Sequence, residues 1–204
     1  MYEYTDRVIA YLNKRFIRIF QRAKSLATQD SHRRLSIDEL NVLSASKSIY
    51  AELESITIQA FLRLANVYYL EIVGQYGTPL GESWLYEILQ DYDPVTKYVF
   101  LHEVERKRAR FAESLIAGSN KAEEISTALR YWSAMIRQYA VLITDEAIQK
   151  AYEDTGVVKV VWITKKDERR CSVCRERDGK VYRLADVPAK PHIGCRCHLV
   201  PKED

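Results

Sequence analysis

At 204 residues and 23.8 kDa the chain is long enough to bury one or two cores, and its 47% hydrophobic and 29% charged residues are ordinary for a globular protein. No stretch approaches about 18 uninterrupted apolar residues, which excludes a membrane-spanning helix, and the opening MYEYTDRVIAYLNKRF has no apolar signal-peptide core. The net charge of +3 hides an asymmetry: +5 over residues 1–34, −7 over 35–158 and +5 over 159–204, so two basic ends flank an acidic body and favour acidic or anionic partners there.

From residue 3 to 28, Val8, Leu12, Phe16, Ile19 or Phe20, Ala23 and Leu26 or Ala27 recur at helical spacing. Arg7, Lys14, Arg15, Arg18 and Arg22 lie between them, which predicts a basic amphipathic helix whose stripe packs on a core or partner. Residues 29–35 read as a connector. Ser36-x2-Glu39 then has the form of a capping box, and Leu40, Leu43, Tyr50, Leu53, Thr57, Ala60 or Phe61, Leu64, Tyr68 and Ile72 continue one face. At 1.5 Å per residue that helix is roughly 50 Å long, a length suited to a strut or bundle. Gly74, Gly77, Pro79 and Gly81 break it.

Residues 82–91 predict a short helix carrying Trp84, Leu85 and Ile88. Asp93-Pro94 predicts a restart, with the aspartate as N-cap and proline in the first turn. The run EVERKRAR, residues 103–110, reads as solvated ion pairs along that helix, and Gly118 closes it. Asn120-x2-Glu123 opens a last long helix buried through Ile125, Leu129, Trp132, Ile136, Tyr139 or Ala140, Ile143, Ala147 and Ala151, with Gly156 at its C-cap. Residues 157–164 alternate and are β-branched, which predicts a strand.

That strand leads into the densest chemistry of the chain. All four cysteines and two of the four histidines fall within residues 162–201, as Cys171-x2-Cys174 and His192-x2-Cys195-x-Cys197-His198. A two-residue gap lets both side chains of a tight turn face one cation, and two such turns supply the four tetrahedral N/S ligands zinc prefers. The 17-residue linker 175–191 is long enough for a hairpin, with Asp178-Gly179 as its turn and VYRL as a strand. The metal candidates are Cys171, Cys174, His192, Cys195 and Cys197. Cys195 mirrors the first knuckle and is favoured over Cys197, although residues two apart on a strand share a face and compete. Against a metal stand reduced, partly buried thiols or disulfides; the latter need an oxidising compartment.

Trp162, Thr164, Asp167, Cys171-x2-Cys174, Gly179, His192-x2-Cys195-Arg196-Cys197 and Pro201 together resemble the C-terminal motif of the Mu F-like minor head, or head-morphogenesis, proteins of tailed phages. The resemblance covers residues 150–201 or so, and Ile193 stands where the family has proline. It also implies an Arg-Thr-Glu triplet in the preceding helix, where this chain has Ile143-Thr144-Asp145, so a role tied to that arginine does not carry over.

No phosphate loop, GxGxxG turn or zinc-deaminase signature occurs, and no catalytic residue is assigned. An HNH-type nuclease would need a free histidine base and an oxygen-rich second site, and only His198 is left over near the motif. His32 and His102 read as surface histidines, Trp84 and Trp132 as core, and Trp162 as a lid over the metal site.

The expected architecture is mainly α, with a long-helix bundle or extended body over residues 1–156 and a small β-rich zinc-stapled module over 157–204. The resemblance implies a non-enzymatic structural protein with structural Zn2+, acting in head morphogenesis at the portal or scaffold and in DNA packaging or delivery. Its implied partners are portal, scaffold and capsid proteins, DNA, and further copies of the chain, with no membrane. Its implied place is the capsid interior or portal region of a virion assembled in the host cytoplasm. The alternative is a zinc-knuckle nucleic-acid-binding module on a helical dimerisation body. Its weakness is stacking surface, since residues 159–204 offer only Trp162 and Tyr182.

Overall fold

The apolar stripes of the long helices dictate how they pack. In a computed structural model, residues 2–29, 35–74, 77–117, 120–166 and 170–202 are described, with all their side chains except those of 23–29, 35–43 and 121. Helix α1 (Glu3–Gln29) buries Ile9, Leu12, Phe16, Ile19 and Phe20. Helix α2 (Leu35–Val73) buries Tyr50, Leu53, Phe61, Leu64, Ala65, Tyr68 and Tyr69. A short α3 (Glu82–Gln90) follows, then α4 (Phe100–Ala117) and α5 (Lys121–Asp154). Helices α1, α2 and α5 pack on one another, and α4 closes the bundle against α2 and α5. The mainly helical class with a small sheet at its C-terminal side follows the sequence expectation.

At the bundle centre, aromatic rings meet edge to face: Phe16 with Trp132 (6.0 Å between centroids), Trp132 with Tyr50 (5.3 Å) and Phe20 with Phe111 (5.6 Å). Such pairs contribute about 0.5–1.5 kcal/mol each beyond the area they bury. Several buried hydroxyls of the bundle bond one another across helices. Thr5 Oγ1 lies 3.1 Å from Tyr68 Oη and 3.0 Å from Thr144 Oγ1, a chain of hydroxyls joining α1, α2 and α5.

Helix ends mostly follow their expected chemistry. Asn120 caps α5 by accepting from the Glu123 amide at 3.3 Å. At the other end Gly156 adopts φ 75°, and the amides of Gly156 and Val157 bond back to the carbonyls of Glu153 and Tyr152, a Schellman closure. Two predictions are corrected. Asp93-Pro94 does not start a helix: the Asp93 carboxylate accepts from the amides of Val95 and Thr96, both at 2.9 Å, but Lys97 turns left-handed at φ 61° and Asp93 bridges Tyr98. The capping chemistry therefore closes a turn, and α4 starts at Phe100. The charged run of α4 pairs at i,i+3, with Arg106 on the buried Glu103 and Arg108 on Glu105. Trp84 is half-buried instead of core, whereas Trp132 is fully buried and His102 exposed. The connector 29–35 (in part), His32, Gly118 and Asp167 lie outside the described residues, and Ser36 and Glu39 outside the described side chains.

After Gly156 the chain enters a three-stranded antiparallel sheet of order β2-β1-β3. Strand β1 (Lys159–Ile163) is central, with β2 (Val181–Arg183) on one side and β3 (His198–Pro201) on the other. Between β1 and β2 lies a short helix α6 (Ser172–Arg177). Val160, Trp162 and Leu199 form the buried face, and Tyr152 of α5 donates to the Leu199 carbonyl at 3.2 Å, docking the sheet on the bundle.

Candidate metal centre

Each knuckle is built by local backbone geometry. Cys171 is the N-cap of α6, and its sulfur accepts from the Cys174 amide at 3.3 Å, so the CxxC spacing turns both sulfurs to one side. The second cluster enters through a turn in which the Cys195 amide meets the His192 carbonyl at 3.3 Å, and it leaves as β3. Registered pairing of Trp162 with Leu199 and Ile163 with His198 carries this segment alongside the first knuckle.

The ligand atoms converge in two overlapping groups. Cys171, Cys174 and a ring nitrogen of His192 lie within 4.8 Å of one another, and so do the sulfurs of Cys174, Cys195 and Cys197. Cys174 belongs to both, and its sulfur is 3.5 Å from that of Cys195. Sulfurs bound to one tetrahedral zinc at about 2.3 Å stand roughly 3.8 Å apart. All five predicted residues are therefore brought together, and the cluster could hold a metal ion. His192 Nδ1 lies 2.9 Å from the Ile193 carbonyl, which can only accept. A proton on Nδ1 leaves the Nε2 lone pair free to coordinate.

The four sulfurs stand in different electrostatic surroundings. The Cys174 amide, aided by His192, pulls the Cys171 thiol down to about 7. Burial, together with neighbouring sulfurs, pushes Cys174 well up, and burial raises Cys197. Several thiolates at this separation are stable only around a cation. Trp162 is buried, its indole Nε1 has no oxygen or nitrogen partner, and its N–H favours the thiolate form of Cys197.

The supporting shell gives the other motif residues physical roles. Gly179 takes φ 77°, and its amide donates to the Trp162 carbonyl at 2.8 Å. Asp178 accepts from the Thr164 amide at 2.9 Å and pairs with Arg170 at 3.3 Å; the Thr164 amide above all holds its carboxyl below the usual carboxylate range. The Arg177 guanidinium covers the Trp162 ring at 5.0 Å and donates to the Ala189 carbonyl at 2.8 Å. Beside the cluster, a cavity of about 250 Å³ is lined by Glu146, Gln149, Val95 and Pro188, among others. That is smaller than the roughly 300–1,000 Å³ of most small-molecule sites.

The sequence reading missed Tyr2, Asp145 and Lys190, whose side chains meet behind Cys195 and Cys197. The triplet position draws notice to Asp145, but no local signal could have joined it to Tyr2 and Lys190, which are 188 positions apart. Of the triplet position, Thr144 joins the hydroxyl chain described above and Asp145 joins this group, while Ile143 is core.

A helical bundle carrying a small cysteine–histidine module of three strands is the class the structure defines. A family model described as Phage Mu protein F like protein matches residues 108–200, from the middle of α4 through α5 and the sheet. Over that segment, a little under half of the chain, the sequence is similar to the Mu F-like proteins. No curated protein and no solved structure matches it. Among the described residues, no helix is long and apolar enough to cross a membrane.

Proposed function

We propose that the chain is a structural minor head protein of a tailed phage or prophage, acting in head morphogenesis at the portal or scaffold and in DNA packaging or delivery. The observation that carries this reading is the coincidence of the family match with α5 and the whole cysteine–histidine module. Residues 1–156 serve as a helical domain and 157–204 as the module, divided at the Gly156 closure. The work is done by surfaces: Lys14, Arg15 and Arg18 are exposed on α1, and the long bundle offers extended faces to portal, scaffold, capsid or a second copy of the chain. No enzymatic turnover is expected.

The module is stapled by one structural Zn2+. Sulfur and imidazole donors at these separations suit zinc better than hard cations, and a sheet of three- to five-residue strands has little core of its own. Cys171, Cys174, His192 and Cys195 form the ligand set, supported by the 3.5 Å approach of Cys174 and Cys195, with Cys197 the competitor for the last position. Burial of Trp162 weakens the alternative nucleic-acid knuckle, because one of its two stacking rings is enclosed.

The deciding experiment co-expresses the chain with the portal and scaffold proteins of its own phage or prophage. Co-purification that survives 200 mM salt is the expected result. Capture of single-stranded DNA with a steep salt dependence and no head protein would favour the knuckle module instead.

A further inference from the structure

Behind the cysteine cluster, three side chains from three parts of the chain converge on two backbone carbonyls. Tyr2, in the turn leading into α1, has its hydroxyl 2.6 Å from Asp145 Oδ1 and 2.9 Å from the carbonyl oxygen of Cys197. Lys190 Nζ stands 2.5 Å from Asp145 Oδ2, 2.6 Å from Tyr2 Oη and 3.4 Å from the carbonyl oxygen of Cys195. The ammonium also lies 4.9 Å from the Tyr2 ring centroid. Lys190 and Asp145 side chains are only 16% and 17% exposed, so water competes weakly for these bonds.

The network has four protons for five contacts, and the Tyr2 hydroxyl is the shared donor. An ammonium has three protons, and Asp145, Tyr2 and the Cys195 carbonyl use all three. Because Lys190 donates to the Tyr2 oxygen, the single hydroxyl proton is free for Asp145 or the Cys197 carbonyl. A donor on a carbonyl restrains its peptide plane, and the planes at Cys195 and Cys197 bias the backbone torsions from which each side chain departs.

We propose that Tyr2, Asp145 and Lys190 are positioning residues of the metal centre, holding the Cys195–Cys197 segment through its two cysteine carbonyls so that the sulfur of Cys195, or of its competitor Cys197, faces the ion. The proposal rests on the zinc reading above. It makes metal affinity depend on docking of the start of α1 against α5 and, by linkage, makes that docking depend on the metal. The start of α1 lies outside the family-matched segment, so a contact from there completes the site.

The full chain offers its own control. Tyr69 donates to Asp154 Oδ2 at 2.7 Å, and Lys150 pairs with the same carboxylate at 2.5 Å, repeating the three side-chain types where no cysteine carbonyl is involved. Zinc affinity is measured on reduced full-length protein by competition with a chromophoric chelator. Tyr2→Phe and Asp145→Asn should each weaken zinc binding about tenfold or more, the usual cost of losing an outer-shell contact. Tyr69→Phe should bind as wild type does. Amide exchange at residues 195–197 should quicken in Tyr2→Phe alone, with or without zinc. Wild-type affinity in the Tyr2 and Asp145 variants overturns the proposal, and so does equal weakening by Tyr69→Phe, which would indicate general destabilisation. Absence of zinc binding by the wild-type protein brings down the metal reading and this inference together; the first measurement shows it.

Discussion

Cys174 is the residue on which the cluster turns, since both groups of ligand atoms contain it. Cys174→Ser should abolish zinc retention, and Cys171→Ser should weaken it strongly, as read by elemental analysis of reduced protein; wild type should carry about one zinc per chain. Both variants should disorder residues 165–201 while leaving most of the helical circular dichroism intact, because the ligands supply the local folding energy. Serine variants of Cys195 and Cys197 decide the last ligand, with the loss expected in Cys195→Ser. Glu146 provides a pH test. Burial, then the charges of Asp145, Asp93 and Glu153, pushes its carboxyl up to about 7. A raised carboxyl binds its proton in the folded state while the unfolded chain has released it, so stability falls as pH rises from about 4.5 to about 7 and stays lowered above. Glu146→Gln should therefore stabilise the protein by about 2 kcal/mol at pH 8 and by far less at pH 5, measured by denaturant unfolding. The residues of the cysteine–histidine cluster were legible because their spacing has the form of a paired knuckle. Glu146 and the Tyr2–Asp145–Lys190 group were not, since their environment comes from elements that meet only in three dimensions.

At the scale of elements, legibility followed the strength of the local signal. Helices of 27 to 39 residues repeat their apolar pattern often enough to fix the buried face, and α1, α2 and α5 appear where periodicity puts them. The six-residue α6 and four-residue β3 show no such repeat. They are held by the Cys171 cap and by pairing with β1, which is why neither was predicted. The restart at Asp93-Pro94 failed for a related reason: an aspartate caps a turn and a helix with the same bonds, and the left-handed Lys97 decides between them. Gly156 ends α5 in a conformation that side chains resist, although a Cβ there would meet nothing within 4 Å. Gly156→Ala should thus cost about 1 kcal/mol through backbone strain alone. For a chain of this size that is a fall in melting temperature of roughly 2–4 °C, which calorimetry would detect.

For the molecule as a whole, the uneven charge matters more than its sum. Arg22 is engaged by Glu52 across α1 and α2, whereas Lys14, Arg15 and Arg18 are exposed and offer a basic face. Reversing Arg15 and Arg18 to glutamate should weaken association with an acidic head protein. The deficit should be larger at 50 mM than at 200 mM salt, because exposed charges are screened over about 10 Å at 0.1 M. Surface plasmon resonance across that range would read both the loss and its slope. An unchanged affinity at every salt concentration would move the contact elsewhere on the bundle.

The three tryptophans fall one to each structural neighbourhood: Trp84 on α3, Trp132 inside the ring of bundle aromatics and Trp162 beneath Arg177 in the module. The protein is thereby a built-in optical reporter. Stripping the metal should redden and quench only the Trp162 emission, while Trp132, sealed among Phe16 and Tyr50, keeps its blue maximum until the bundle itself melts. Single-tryptophan versions with phenylalanine at the other two positions would separate the two events on one fluorimeter trace.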